Sequence, residues 1–287
     1  MRIRSGQLIS LGVAAAVAGW LALAGSAAAA AGEGAAGTAP PTRAVIVRAV
    51  HPHDPLAFTQ GLLWHAGRLY ESLGLRGRSA VREVEIATGR VLRQRELPSD
   101  QFGEGLALVG GRFFQLTWQE GIVHTWRLGD FAPLGDFRYR GEGWGIAWDG
   151  ERLLQSDGSD VLRFRAPEDF RETGELHVTL AGRPEAYLNE LEVVDGWIYA
   201  NLWQSNQIVR IDPKSGAVAE VYDATGLLSD EEAAKADVLN GIAWNPERKV
   251  FYITGKLWPK LFEVDLPEAP MREAPGREGA KPEPPPA

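Results

Sequence analysis

The sequence predicts an all-β fold, a five-bladed β-propeller, and three observations carry that prediction. One pattern, an apolar run, a tight turn and a second apolar run, occurs five times: GLLWHAGRLYESLG from Gly61, GLALVGGRFFQLTW from Gly105, GIAWDGERLLQSDG from Gly145, ELEVVDGWIYANLW from Glu190 and GIAWNPERKVFYITGKLW from Gly241. The copies start 44, 40, 45 and 51 residues apart, which is the length of a four-stranded propeller blade. Between copies lie segments of alternating polarity, the period of a half-buried strand.

The elements follow in chain order. Residues 43–50 (RAVIVRAV) read as a lone apolar strand ahead of the first copy. Each copy reads as a hairpin, because four of the five turns use Ala-Gly, Gly-Gly or Asp-Gly, dipeptides that reach positive φ cheaply and match the twist of paired strands. A second hairpin follows the first four copies, beginning at Ser79, Ile122, Val161 and Gln207. Only residues 227–236 look helical, with Ser229 as N-cap and acidic residues in the first turn. The last copy ends at residues 260–266 (KLFEVDL) with three strands, so it is expected to pair with the opening strand, close the ring and hide an open sheet edge.

The ends are expected to stay outside this fold. Arg2 and Arg4 precede an apolar stretch over residues 8–23 and small residues over 24–31, the pattern of an export signal covering residues 1–31. Cleavage is the expectation and an uncleaved anchor the alternative, since no charge occurs between Arg4 and Glu33. Residues 32–42 read as a flexible linker, 43–266 as the propeller, and 267–287, with 7 of the 18 prolines, as a disordered tail. The expected address is periplasmic or secreted, the expected state monomeric, and the membrane is involved only if the signal stays attached.

Composition removes several function classes. Of the 287 residues, 30 are Lys or Arg and 38 Asp or Glu, a net charge of −8 without a basic block, which argues against nucleic acid as a partner. The absence of cysteine excludes disulfides, thiolate metal sites and cysteine nucleophiles. The five histidines show no metal-binding spacing, and His51-Pro-His53 reads as a cap on the first blade. Neither a dinucleotide loop nor a serine elbow is present, so hydride transfer and serine hydrolysis have no local support, and a histidine-ligated metal site is not expected.

The residues that break the structural pattern sit near one end of the inner strands: Gln60, Glu104, Trp118, Trp144, Asn189, Glu190, Trp203, Asn240 and Lys256. In a propeller such positions converge around the axis on one face. A carboxylate among aromatics has a raised pKa from desolvation, suited to moving protons near neutral pH, and Glu104, between two glycines and after Phe102, is the first candidate. The structural alternatives are a Glu104 that bonds a neighbouring backbone, a solvated Lys256, core tryptophans and turn-forming asparagines; Asn240 is read as structural.

The motifs HDPLAFTQGL, YESLGLRGRSAVREV, FGEGL, GEGWGIAWDG, SDGS, LNELE, NLWQSNQIVRIDP, LNGIAW and TGKLWPKLFEV, in order from about residue 53 to 266, together resemble the plant and bacterial type of glutaminyl-peptide cyclotransferase. The resemblance implies a five-bladed propeller. It implies cyclisation of N-terminal glutamine, in peptides or proteins, to pyroglutamate with loss of ammonia, without a metal or a cofactor. It places the catalytic glutamate on Glu104 and pocket residues on Phe58, Gln60, Phe102, Trp118, Trp144, Asn189, Trp203 and Lys256, with the tryptophans as an apolar wall. Gln60, Asn189 and Lys256 would orient the amide or stabilise its oxyanion, and Lys256 could equally tune Glu104 by charge. Glu142, before the glycine-tryptophan motif, is a second possible pocket carboxylate, and the Glu104 assignment weakens if it faces the site. The rival readings are a non-catalytic propeller that binds peptide N-termini or sugars, and a hydrolase holding calcium on Glu104, Asn189 and Asn240.

Overall fold

The computed structural model describes residues 38–267, and they form five four-stranded antiparallel units with almost no helix. The first blade is Thr59–His65, Arg68–Leu73, Ala80–Glu85 and Arg90–Glu96, and the second Gly103–Val109, Arg112–Thr117, Ile122–Arg127 and Pro133–Arg138. The third is Ile146–Trp148, Leu153–Gln155, Val161–Arg165 and Glu172–His177, and the fourth Leu188–Val194, Trp197–Leu202, Gln207–Ile211 and Val218–Asp223. The fifth takes Leu239–Asn245, Val250–Gly255 and Lys260–Asp265 from the end of the chain and its outer strand, Ile46–Pro52, from the beginning. The five first strands neighbour one another in turn and return to the start, so the all-β, five-bladed propeller read from the repeats is the fold.

Why the sequence closes this way is visible in its apolar residues. Five separate buried clusters form, one between each pair of adjacent blades; Leu62, Val84, Tyr252 and Leu261, for example, join the first blade to the fifth. Each fully buried Leu, Ile or Phe is worth about 1.5–3 kcal/mol, so the ring is held by the sum of its five interfaces. Around the axis the inner strands approach too closely for side chains: a Cβ on Gly61 would lie 2.5 Å from the Leu106 nitrogen, and one on Gly105 2.6 Å from the Ile146 nitrogen. The fourth blade has Glu190 where the others have glycine, and its carboxylate crosses the axis to accept the backbone N–H of Leu62 at 3.1 Å and of Ile242 at 2.7 Å.

A buried ionic cluster locks the seam between first and last blades. Glu71 accepts from Thr59 Oγ1 at 2.6 Å, Arg82 Nε at 2.7 Å and His53 Nε2 at 2.9 Å, while His53 Nδ1 lies 2.7 Å from the Trp258 carbonyl. With an acceptor on each ring nitrogen, His53 is held as the doubly protonated cation. Burial alone would lower its pKa, but the Glu71 charge and hydrogen bond raise it; burial would raise Glu71, but Arg82 and His53 hold it far below the usual range.

Two boundaries differ from expectation. The opening segment is two strands: Thr42–Ala44 runs parallel to Val218–Asp223 on the edge of the fourth blade before the chain crosses to the fifth. Residues 42–44 therefore belong to the fold, and the linker expected to reach residue 42 ends earlier. The helix is one turn, Asp230–Ala233, with the foreseen Ser229 cap completed by Glu232 in a capping box. The export segment, and the tail beyond residue 267, lie outside the described residues.

Candidate functional site

The repeat has a consequence at one rim of the ring. Four inner strands carry a register shift at the same place, between Thr59 and Gly61, Gly103 and Leu106, Leu188 and Leu191, and Leu239 and Ile242. A bulge redirects the side chain it contains. The redirected residues include Gln60, Glu104, Asn189 and Asn240, each directly before the start of a repeat copy, and Trp144 occupies that position in the third blade. Two residues further back come Phe58, Phe102, Glu142 and Tyr187. The second strands end on the same rim, and the residues just after them are Trp118, Ser156, Trp203 and Lys256. All nine residues predicted from sequence thus lie at one mouth.

Polar contacts join blades that are far apart in sequence. Gln60 Nε2 donates to Glu104 Oε1 at 2.9 Å, and Asn240 Nδ2 donates to Gln60 Oε1 at 3.3 Å and to the Thr59 carbonyl at 3.1 Å. Asn240 therefore fixes which way the Gln60 amide faces. Ser156 Oγ donates to the Asn189 carbonyl and accepts from the Gly145 N–H, both at 2.7 Å, setting the neighbouring loop. The side-chain Oδ1 atoms of Asn189 and Asn240 are buried without a protein partner, two unused acceptors on this rim.

The walls are aromatic. Phe102 stands edge-on to Phe58 at 6.1 Å and to Trp118 at 5.6 Å, and Trp144 stands edge-on to Trp203 at 5.3 Å. Tyr187, 55% exposed, lies 6.0 Å from Trp203 at the outer edge. Glycine makes room: a Cβ on Gly74 would lie 2.5 Å from the Phe102 ring, and one on Gly158 2.6 Å from the Trp144 ring. Lys256 is buried with its ammonium 5.1 Å from the centre of the Phe58 ring, a cation–π placement.

Electrostatics single out Glu104, which is only 4% exposed. Burial drives its pKa well above the ordinary carboxylate value; Lys256 opposes that rise, and Glu142 and Glu120 add to it. Burial likewise lowers Lys256, against the pull of Glu104 and Asp237. Glu142 does face the site, but its carboxylate is engaged by three donors: Trp118 Nε1 at 2.7 Å, Trp144 Nε1 at 3.0 Å and Gln119 Nε2 at 3.0 Å. A cleft of about 660 Å³ between the fourth and fifth blades, near Trp197 and Arg248, contains none of these residues. Convergence of buried polar groups, not cavity size, marks the site.

Asn240, read from the sequence as structural, buttresses Gln60, and the contacts of Glu142 were not foreseen. The signal was present: Asn240 holds the repeat position of Gln60, Glu104 and Asn189.

Comparison with known proteins shows the family. A family model described as glutamine cyclotransferase matches residues 17–266. The chain is 42% identical over 230 residues to the glutaminyl-peptide cyclotransferase of Arabidopsis thaliana, covering 78% of this chain and 71% of that one. The crystal structure of Myxococcus xanthus glutaminyl cyclase superposes with a TM-score of 0.72 at 39% identity, covering 79% of this chain and 97% of that one.

Proposed function

The chain belongs to the glutamine cyclotransferase family, and from that premise we propose that Glu104 is the proton carrier that turns N-terminal glutamine of peptides or proteins into pyroglutamate. The α-amine nitrogen bonds to the γ-carbonyl carbon, the bond to the amide nitrogen breaks, and ammonia leaves. One proton must pass from the attacking to the departing nitrogen. Glu104 accepts it as a carboxylate and returns it as a carboxylic acid, and a raised pKa makes both directions feasible near neutral pH. The single observation that carries the reading is this buried carboxyl, hydrogen-bonded by Gln60 and close enough to Lys256 for their charges to interact.

The remaining residues bind and orient. Because attacking and leaving nitrogens belong to one residue, holding the cyclising rotamer supplies much of the acceleration. Phe58, Phe102, Trp118, Trp144 and Trp203 form the apolar wall around the glutaminyl methylenes. The unpartnered Asn189 Oδ1 accepts from a substrate N–H, and Lys256 donates toward the developing oxyanion.

The reaction is an aminoacyl transfer that uses no metal ion, and among the described residues no group of three or more His, Asp or Glu side chains is placed to hold one. The protein acts as an exported monomer, periplasmic or secreted, a reading supported by Arg2, Arg4 and the apolar stretch after them. Mass spectrometry of a short Gln-initiated peptide incubated with the protein, with and without chelator, tests the proposal. Loss of about 17 Da, one ammonia, in both samples supports it. An unchanged mass rejects the activity, and loss that chelator abolishes rejects metal independence.

A further inference from the structure

Two tryptophans of the wall come from different blades, Trp118 after a strand of the second and Trp144 before the first strand of the third, and nothing in their own backbones obliges the indoles to meet. They meet on one atom. Both indole N–H groups donate to Glu142 Oε2, and Gln119 takes the other oxygen. The segment bearing Glu142 is rigid: Gly143 donates to the Trp118 carbonyl at 2.9 Å, Trp144 to the Ser156 carbonyl at 3.0 Å, and Gln155 Nε2 to the Glu142 carbonyl at 3.1 Å. The flanking glycines are required by space, since a Cβ on Gly143 would collide with the Tyr139 hydroxyl and one on Gly145 with the Asn189 carbonyl.

We propose that Glu142 is a positioning residue, whose single carboxylate gathers the indoles of two blades into one substrate wall. It transfers no proton itself. Three donors already occupy it, whereas Glu104 shows one side-chain donor, Gln60. Indole bonds to a carboxylate are charge-assisted, so losing them loosens the wall while leaving the reacting groups in place. The inference rests on Glu104 as the proton carrier.

Two conservative variants separate charge from reach. In Glu142→Gln the charge is gone: KM for a Gln-initiated peptide is expected to rise about 10- to 100-fold, the size of a lost charged hydrogen bond, with a smaller fall in kcat. In Glu142→Asp the charge stays but the side chain is too short to span both indoles, so KM rises here as well. Indole N–H resonances of Trp118 and Trp144, assigned by NMR, shift in both variants whether or not peptide is turned over, which keeps this test apart from that of the activity. Unmoved indole resonances, or a KM unchanged in both variants, overturn the inference. So does a kcat collapse in Glu142→Gln while Glu104→Gln stays active, which makes Glu142 the proton carrier.

Discussion

Replacing Gln60 by leucine, close to it in volume, removes the one side-chain donor on Glu104 without opening a large cavity. The bond is 2.9 Å long and buried, and a donor to a carboxylate stabilises the charged form. Such a bond is worth about 1.5–3 kcal/mol, which corresponds to a rise of about one to two pKa units in Glu104. Since Glu104 is already raised by burial, each further unit leaves tenfold less carboxylate at a pH below its pKa. The expected result is a fall in kcat/KM of about 10- to 100-fold on the acid side of the limb, recovered as pH rises, with the limb itself displaced upward. Initial rates of ammonia release across pH 5–9 measure both. Asn240→Ala, which frees the Gln60 amide to turn away, gives a smaller displacement of the same sign. An acid limb that stays in place or moves down in Gln60→Leu refutes the reasoning.

Other consequences concern the ring and the wall. Arg82→Leu leaves Glu71 buried with less compensation and is expected to cost about 3–5 kcal/mol in urea unfolding, and the double variant with Glu71→Leu costs less than the sum of the singles. Burial pushes the Glu192 carboxyl up to about 7, despite backbone bonds from Val193 and Trp244. Its folded pKa exceeds its unfolded one, so the stability it contributes is present at low pH and is lost as pH rises through about 7. Glu192→Gln should therefore gain on the wild type as pH rises from about 4.5 to about 7, by on the order of 3 kcal/mol at most in urea titrations. Trp203→Ala removes the ring that faces Trp144 and Tyr187, and steady-state kinetics should show KM up about 10- to 100-fold with kcat less affected.

The blades were legible because each copy repeats an apolar run on either side of a turn. Ala66-Gly67, Gly110-Gly111 and Asp195-Gly196 all adopt the left-handed pairs that such hairpins require. The third and fifth turns use a different device that composition hides, Asp149 and Asn245 side chains accepting from the two N–H groups that follow them in the turn. Thr42–Ala44 escaped notice because a three-residue parallel edge strand has no period of its own. At the site, position within the repeat located Gln60, Glu104 and Asn189, since equivalent places converge on one rim. Partnership was not legible: that Asn240 turns Gln60 toward Glu104, that Glu142 meets two indoles, and that Glu71 binds His53 across the seam are contacts between residues up to 180 positions apart. Only the closed ring brings them within reach.

The central claim is that Glu104 carries the proton between the two nitrogens. Single-turnover cyclisation of a Gln-initiated peptide by Glu104→Gln, in protein shown to be folded and to bind the peptide as the wild type does, tests it most directly. The account predicts loss of at least about 100-fold in the chemical step with binding retained, and a pH profile stripped of its acid limb. Chemistry within a few-fold of the wild type, or an acid limb that survives the substitution, contradicts it.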